Sequence, residues 1–189
     1  MKAYLTNTKQ NNIITVNIPG SKSESNRLLI LKKIYPNISI QNLSNCDDTI
    51  VLKRTIDMKD GVVDIHHAGT AMRFLTSFFA TKKNIELIIT GSKRMQERPI
   101  KILVDTLIKM GADISYTKND GFPPLKIKGN KLIGGEVSLS ANISSQYISA
   151  LLLIAPILEK GLIITIENEI LSRPYIQMTL DMMKYFGVH

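Results

Sequence analysis

The sequence predicts an α/β protein built from repeated βαβαββ units arranged around a pseudo-three-fold axis. Strand-like apolar runs alternate with helical stretches along most of the chain, and the predicted helices occur in pairs. The helix starts at Gly69 and Arg98 recur, after one and the same interval, at Ser144 and Arg173, and a proline follows both arginines. A recurrence at fixed spacing indicates copies of one supersecondary unit, so we expect three copies.

Length and composition are those of an ordinary globular protein. The chain has 189 residues, of which 44% are hydrophobic and 21% charged, and its net charge is +8. This excess of positive charge favours anionic partners, either small phosphorylated metabolites or nucleic acid. The basic residues are spread along the chain without a nucleic-acid-binding motif or interleaved aromatic residues, so we expect no nucleic-acid partner.

The number of cysteines, the spacing of the histidines and the length of the apolar runs exclude several other classes of site. Cys46 is the single cysteine, which rules out a disulfide framework and a thiol metal site, and we assign it no catalytic role. The three histidines lack metal-ligand spacing with a carboxylate cluster. The N-terminal stretch lacks a signal-peptide core, and the longest apolar run, Ile148 to Leu158, is too short to span a bilayer. We therefore expect a cytoplasmic protein that has neither a metal site nor a membrane-spanning segment.

The first unit is predicted from the breaks around its helices. Pro19-Gly20 ends a strand over 13–18, and the serines around Lys22 cap a helix that runs to about Ile34. A second strand over 38–43 precedes a helix over 49–58, which Asp47 or Asp48 begins.

The other two units repeat this order. In the second unit, Arg98-Pro99 is predicted to begin a helix, with proline in the permitted first turn. The predicted strands of both units are 62–65, 85–90, 113–117, 125–128, 136–139 and 162–166. The predicted helices begin at Gly69-Thr70, Arg98, Ser144 and Ser172, and end near Phe79, Met110, Leu158 and Phe186.

Three of the predicted helices begin with small or hydroxyl-bearing residues. The free N–H groups and the positive dipole end of a helix attract anions. Lys22 and Arg27 add two charges on one helical face, and Gly69 allows a ligand to approach the backbone closely. Taken alone, the start at Lys22 is more typical of an ordinary capped helix with two solvated cations. If the units pack around a common axis, however, the three starts converge on one multiply charged ligand.

Five motifs occur in an order and spacing that are very specific together. They resemble the 5-enolpyruvylshikimate-3-phosphate (EPSP) synthase family, the 3-phosphoshikimate 1-carboxyvinyltransferases, from about Ile14 to the end of the chain. The sister family that acts on UDP-N-acetylglucosamine matches them poorly. The motifs are Pro19-Gly20-Ser21-Lys22-Ser23-Glu24-Ser25-Asn26-Arg27, Ala68-Gly69-Thr70-Ala71-Met72-Arg73, Arg94-Met95-Gln96-Glu97-Arg98-Pro99-Ile100, Ser144-Ser145-Gln146 and Ser172-Arg173-Pro174-Tyr175.

The resemblance implies one lobe of the enolpyruvyl transferase inside-out barrel. It also implies transfer of the enolpyruvyl group of phosphoenolpyruvate to the 5-hydroxyl of shikimate 3-phosphate, with loss of phosphate through a tetrahedral intermediate and without a metal or organic cofactor. By motif position, Gly69 and Arg98 would bind phosphoenolpyruvate, Lys22 and Gln146 would reach both substrates, and Tyr175 would line the shikimate side. The remaining contacts to shikimate 3-phosphate would come from Ser23, Arg27, Ser144, Ser145 and Ser172.

Several residues in or near these motifs have open roles. Arg73 and Arg94 serve packing or general charge as readily as ligand contact, and Asp47 and Asp48 are more typical of helix caps than of catalytic acids. His67 stands where many family members carry asparagine, so a ligand contact from that position is not assigned.

The chain is about half as long as members of the family it resembles. Residues 14–189 would form the N-terminal lobe with an incomplete third unit, and 1–13 would be a strand that pairs with the absent C-terminal lobe. That lobe carries the proton acceptor and donor in the family, so no catalytic residue is predicted here. The expectation is an N-terminal fragment that is inactive alone and self-associates through exposed strand edges, and a full-length monomer. The alternatives are a small complete enzyme that dimerises to rebuild a cleft, or a basic protein that binds small anions or nucleic acid without catalysis.

Overall fold

The computed structural model describes residues 4, 15–140, 144–167 and 172–188. From residue 60 onward, helices and strands follow one another in the predicted order, with one additional short helix. The helices are α1 (Lys22–Ile34), α2 (Asp47–Thr55), α3 (Gly69–Ala80), α4 (Lys93–Gln96), α5 (Lys101–Lys109), α6 (Ser145–Ile154) and α7 (Arg173–Tyr185). The strands are β1 (Asp60–Asp64), β2 (Glu86–Thr90), β3 (Asp113–Tyr116), β4 (Leu125–Lys128), β5 (Gly135–Ser140) and β6 (Leu162–Glu167).

The second unit has the predicted βαβαββ order. Its strands form one sheet in the order β1-β2-β4-β3, in which β1 and β2 are parallel and the other two pairs are antiparallel. Helix α3 connects β1 to β2, since parallel neighbours need a crossover connection. The pairing begins with Asp60 opposite Glu86.

The third unit repeats the first part of this arrangement. Strands β5 and β6 are parallel, with Gly135 opposite Leu162, and α6 crosses between them. Helix α7 follows β6 as α5 follows β2. The second and third units therefore share the same parallel strand pairing and connecting helix, which is the repeat that the sequence predicts.

The first unit keeps its helices, but its two predicted strands are wrong in the described residues. Residues 15–18 and 38–43 have no strand pairing. A strand forms only where it has a neighbour to pair with, and Val16 and Ile18 are instead exposed at 71% and 77%. Residues 13 and 14, and the strand predicted over 1–13 apart from Tyr4, lie outside the described residues.

Three helix boundaries also differ from the prediction. Helix α2 ends at Thr55 because a turn follows, in which the Met58 N–H donates to the Thr55 carbonyl. Helix α6 ends at Ile154 and passes into a 3₁₀ turn over Ala155–Ile157, where Pro156 cannot donate to the helical ladder. Helix α5 begins at Lys101 rather than at Arg98, and the short α4 lies in the stretch predicted as a loop.

The core is formed around the first helix of each pair. Helices α1, α3 and α6 contact one another, and every residue of α3 is buried. Phe74 and Phe79 of α3 are among the largest fully buried side chains. None of the helices in the described parts of the chain has the length and apolar character needed to cross a membrane.

Candidate functional site

The start of α1 is fixed by a local cap. The Ser21 hydroxyl accepts a hydrogen bond from the Glu24 N–H at 3.4 Å. Lys22, which is exposed, and Ser23, which is half-buried, therefore lie in the first turn of the helix, and Arg27 lies one turn further on.

The starts of α6 and α7 are built differently from each other. The Ser144 hydroxyl caps α6 by accepting from the Gln146 N–H at 3.3 Å. Ser172 precedes α7 in the left-handed conformation, with a φ of 56°, and its hydroxyl makes no capping hydrogen bond. Within the described residues, no capping bond therefore engages that hydroxyl.

The start of α3 is capped by a side chain from another helix. Ala68 at the cap position has no hydroxyl, and the Oδ1 atom of Asp48 accepts from the Thr70 N–H at 2.9 Å. Helix α2 begins at Asp47, as predicted, with Cys46 in the cap position, and the Asp48 side chain caps α3 rather than its own helix.

These helix starts surround a cavity of about 280 Å³, which we call the first cavity. Eight of the ten residues predicted to bind substrate line it, together with Thr70 from the start of α3. It contains two cations, four serine hydroxyls, a threonine, an amide and a phenol, and no acidic side chain of the described residues lines it. Such a lining suits an anion that also carries hydroxyl groups. The lining residues are Lys22, Ser23, Arg27, Thr70, Ser144, Ser145, Gln146, Ser172 and Tyr175.

Arg27 is the most deeply buried member of the first cavity, with 2% of its surface exposed. Its guanidinium donates to the hydroxyls of Thr179 and Ser149 at 2.6 and 2.8 Å, and to the carbonyls of Ser23 and Tyr175 at 2.9 and 3.1 Å. Burial lowers the pKa of Arg27 to about 10, so it is still a cation at neutral pH. Since a guanidinium has five N–H groups, these four bonds leave one for a ligand.

A second cavity of about 500 Å³ contains Arg98, one of the two predicted residues that do not line the first cavity. Arg94, which is exposed like Arg98, also lines it. The described residues that line it are His67, Ser92, Arg94, Met95 and Arg98, and none of these side chains is acidic.

Gly69 connects the two cavities through its position at the start of α3. Its neighbour Thr70 lines the first cavity, whereas His67 lines the second. A Cβ atom at Gly69 would lie 2.7 Å from Nη1 of Arg98, so the Arg98 guanidinium packs directly against this glycine.

Arg73 and His67 form contacts that the sequence did not reveal. Arg73 is 5% exposed and donates to the carbonyls of Gly69 and Pro99 at 3.2 and 3.3 Å. The Nε2 atom of His67 lies 2.9 Å from Oδ2 of Asp47, and its Nδ1 lies 2.7 Å from Nδ1 of His66. Both ring nitrogens of His67 are therefore engaged within the protein. No three histidine, cysteine, aspartate or glutamate side chains in the described ranges are grouped to hold a metal ion.

Comparison with known proteins identifies the family. Residues 38–189 match the family model described as EPSP synthase (3-phosphoshikimate 1-carboxyvinyltransferase). The chain belongs to the EPSP synthase family. It is 51% identical over 174 residues to the 3-phosphoshikimate 1-carboxyvinyltransferase of Bacteroides fragilis, which covers 92% of this chain and 42% of the relative. The enzyme of the same name from Shewanella piezotolerans is 39% identical over 202 residues, covering 93% of this chain and 47% of the relative.

Solved structures give the same fold. EPSP synthase from Acinetobacter baumannii superimposes with a TM-score of 0.73 at 22% sequence identity, covering 91% of this chain and 43% of that one. The predicted fold class, an α/β lobe of the EPSP synthase type, is thereby confirmed. The chain spans less than half the length of these curated and structural relatives.

Proposed function

We propose that this chain is the N-terminal, substrate-binding lobe of a 3-phosphoshikimate 1-carboxyvinyltransferase, formed by residues 14–189. The reaction adds the 5-hydroxyl of shikimate 3-phosphate to phosphoenolpyruvate, and inorganic phosphate leaves the tetrahedral intermediate. In the cell it would serve the shikimate pathway to chorismate and the aromatic amino acids, in the cytoplasm and as a full-length monomer. Family membership and the chemistry of the two cavities support this proposal.

The first cavity would bind shikimate 3-phosphate. The observation that carries this assignment is that four separate segments of the chain bring cations, hydroxyls and an amide to one cavity, to which the described residues contribute no acid. The exposed ammonium of Lys22 would neutralise the phosphate, and the hydroxyls of Ser144, Ser145 and Ser172 would donate to its oxygens. Gln146 would lie between the two substrates, and Tyr175, which is 46% exposed, would border the ring.

The second cavity would bind phosphoenolpyruvate. Arg98 presents a planar guanidinium, which matches a carboxylate or phosphate with two parallel hydrogen bonds. Gly69 lets this group lie against the backbone at the start of α3, and Arg94 adds a second cation to the cavity. No carboxylate of the described residues lines either cavity, and the proton acceptor and donor would come from a second lobe, which would also complete the field around the transition state.

The binding half of this proposal is tested by titrating the 189-residue chain with shikimate 3-phosphate by calorimetry, with Lys22→Ala as the variant. Lys53→Ala is the matched control, because it removes the same charge from an exposed position on α2, outside both cavities. We expect saturable binding that weakens by roughly tenfold or more in Lys22→Ala, as for a lost charge-assisted hydrogen bond. Lys53→Ala should stay within about twofold of the wild type, since exposed distant charges are largely screened.

Two results would overturn the assignment. One is a folded chain that shows no saturable binding of shikimate 3-phosphate. The other is an equal loss of affinity in Lys22→Ala and Lys53→Ala, which would indicate that only overall charge attracts the ligand.

A further inference from the structure

The Tyr147 hydroxyl connects the helix of the first cavity to the loop of the second. Tyr147 follows Gln146 in α6 and is 7% exposed. Its hydroxyl donates to the Pro99 carbonyl at 2.6 Å. Pro99 is the residue after Arg98, and it lies outside any helix, between α4 and α5. Tyr147, a residue of the helix that lines the first cavity, therefore holds the backbone next to Arg98, a cation of the second cavity.

Arg73 of α3 reaches the same carbonyl from the other side. Its Nη2 donates to the Pro99 carbonyl, its Nη1 donates to the Gly69 carbonyl, and its guanidinium carbon lies 5.7 Å from the centroid of the Tyr147 ring. Burial lowers the pKa of Arg73, and the nearby Tyr147 opposes that effect. Side chains of α3 and α6 therefore meet at one carbonyl oxygen in the loop before α5.

This arrangement explains why α5 starts late and where Arg98 lies. With two donors, the Pro99 carbonyl is fixed in orientation, and the Ile100 N–H is occupied by the Gly121 carbonyl at 2.9 Å. The Pro99 carbonyl and the Ile100 N–H belong to one peptide plane, the one that follows Pro99, so this plane is fixed by tertiary contacts rather than by a helix. The Arg98 side chain leaves this fixed loop and lies against Gly69.

We propose that Tyr147 is a positioning residue: its hydroxyl, acting with Arg73 on the Pro99 carbonyl, holds Arg98 against Gly69 and links the second cavity to the helix that lines the first. This inference rests on the proposed function, in which the two cavities bind two different anions. The ring of Tyr147 supplies packing, which a phenylalanine would preserve, whereas the hydroxyl sets the geometry of the loop.

The test compares Tyr147→Phe with Tyr116→Phe in the 189-residue chain. Tyr116 is a suitable control because its hydroxyl is buried without a hydrogen-bond partner among the described residues. Each variant is titrated with shikimate 3-phosphate and with phosphoenolpyruvate, alone and together. The Arg98 Nε–H and Gly69 amide resonances are followed by NMR in the absence of ligand.

For Tyr147→Phe we expect shikimate 3-phosphate to bind within about twofold of the wild type. Phosphoenolpyruvate should bind roughly fivefold to tenfold more weakly, as for the loss of one positioned hydrogen bond. Any strengthening of phosphoenolpyruvate binding by shikimate 3-phosphate in the wild type should shrink. The Arg98 and Gly69 resonances should shift in Tyr147→Phe and stay in place in Tyr116→Phe.

Each of the other possible outcomes decides between the positioning role of Tyr147 and an alternative. If the wild type binds both ligands and Tyr147→Phe binds them equally well, the positioning role is wrong and the proposed function stands. If both affinities fall together with the melting temperature, Tyr147 is only a packing residue and the inference is again wrong. If the wild type binds neither ligand, the proposed function fails. The Arg98 and Gly69 resonances then decide: a shift confined to Tyr147→Phe supports the positioning role, and no shift overturns it.

Discussion

Replacing Gly69 by alanine separates the functional role of this glycine from a structural one. The added Cβ would lie 2.7 Å from Nη1 of Arg98, 3.4 Å from its Cζ and 3.5 Å from Nη1 of Arg73. All three atoms belong to the ends of long side chains, which can move. Gly69 does not have a positive φ, so alanine can adopt its backbone conformation. We therefore expect Gly69→Ala to displace Arg98 rather than the fold.

The free energy of unfolding should change little in Gly69→Ala. Replacing glycine by alanine at a compatible position favours folding by about 0.4–1 kcal/mol, because the unfolded chain loses freedom. Displacing an exposed arginine offsets part of that gain, so we expect a net change within about 1 kcal/mol. Binding of phosphoenolpyruvate should suffer far more. Losing a hydrogen bond to a charged group costs about 1.5–3 kcal/mol, which is roughly a 10- to 150-fold loss of affinity.

Gly20→Ala is the contrasting variant. A Cβ at Gly20 would lie 1.8 Å from the Asn42 carbonyl oxygen and 3.0 Å from its carbon, and these backbone atoms cannot rotate away. The loop before α1 must then shift, and we expect a loss of more than about 2 kcal/mol in the free energy of unfolding. Urea denaturation of both variants, with calorimetric titration of phosphoenolpyruvate, gives the two quantities for each.

The reasoning about Gly69 would be refuted in either of two ways. Gly69→Ala could unfold as readily as Gly20→Ala, in which case the glycine is needed for packing. It could also bind phosphoenolpyruvate as tightly as the wild type, in which case Arg98 does not act from its position against Gly69.

Two further predictions concern stability and association. Ser149→Ala should lower the free energy of unfolding by about 1–3 kcal/mol in urea denaturation, because it leaves a buried N–H of Arg27 without an acceptor. Ser77→Ala is its control and should be neutral or stabilising, since the buried Ser77 hydroxyl has no partner among the described residues; equal losses would refute the explanation. Ile163, 58% exposed on β6, lies on a strand with one unpaired edge in the described sheet, so the chain should associate with rising concentration in sedimentation experiments. Ile163→Lys should reduce that association, and an unchanged association constant would exclude this edge.

The helix starts could be predicted because their signals are local. Ser21 and Ser144 cap α1 and α6 through bonds to N–H groups within three residues, so the motif and the structure it forms occupy the same short stretch. The same holds for the proline in the first turn of α7. The predicted binding residues at these starts are found together because their helices pack on a common core.

The features that sequence reasoning missed depend on contacts between distant segments. Helix α5 starts at Lys101 because Tyr147 and Gly121 hold the loop before it, and neither residue is close in the sequence. The strands predicted over 15–18 and 38–43 have suitable composition, but composition does not supply a neighbouring strand. Asp48 resembles a cap for its own helix, yet its carboxylate reaches the start of α3.

The Asp48 contact also bears on how the site attracts anions. A carboxylate at the Thr70 N–H offsets the positive end of the α3 dipole, which by itself is equivalent to about half a charge. Capped in this way, the start of α3 would be a weak source of attraction for an anion at Gly69. Under the proposed function, the full charges of Arg98 and Lys22 would supply most of the attraction, and both lie on exposed side chains, where a ligand can reach them. Arg27, by contrast, uses most of its N–H groups in hydrogen bonds that join α1 to α6 and α7. Its charge therefore affects the first cavity mainly through the electrostatic potential rather than through direct hydrogen bonds to a ligand.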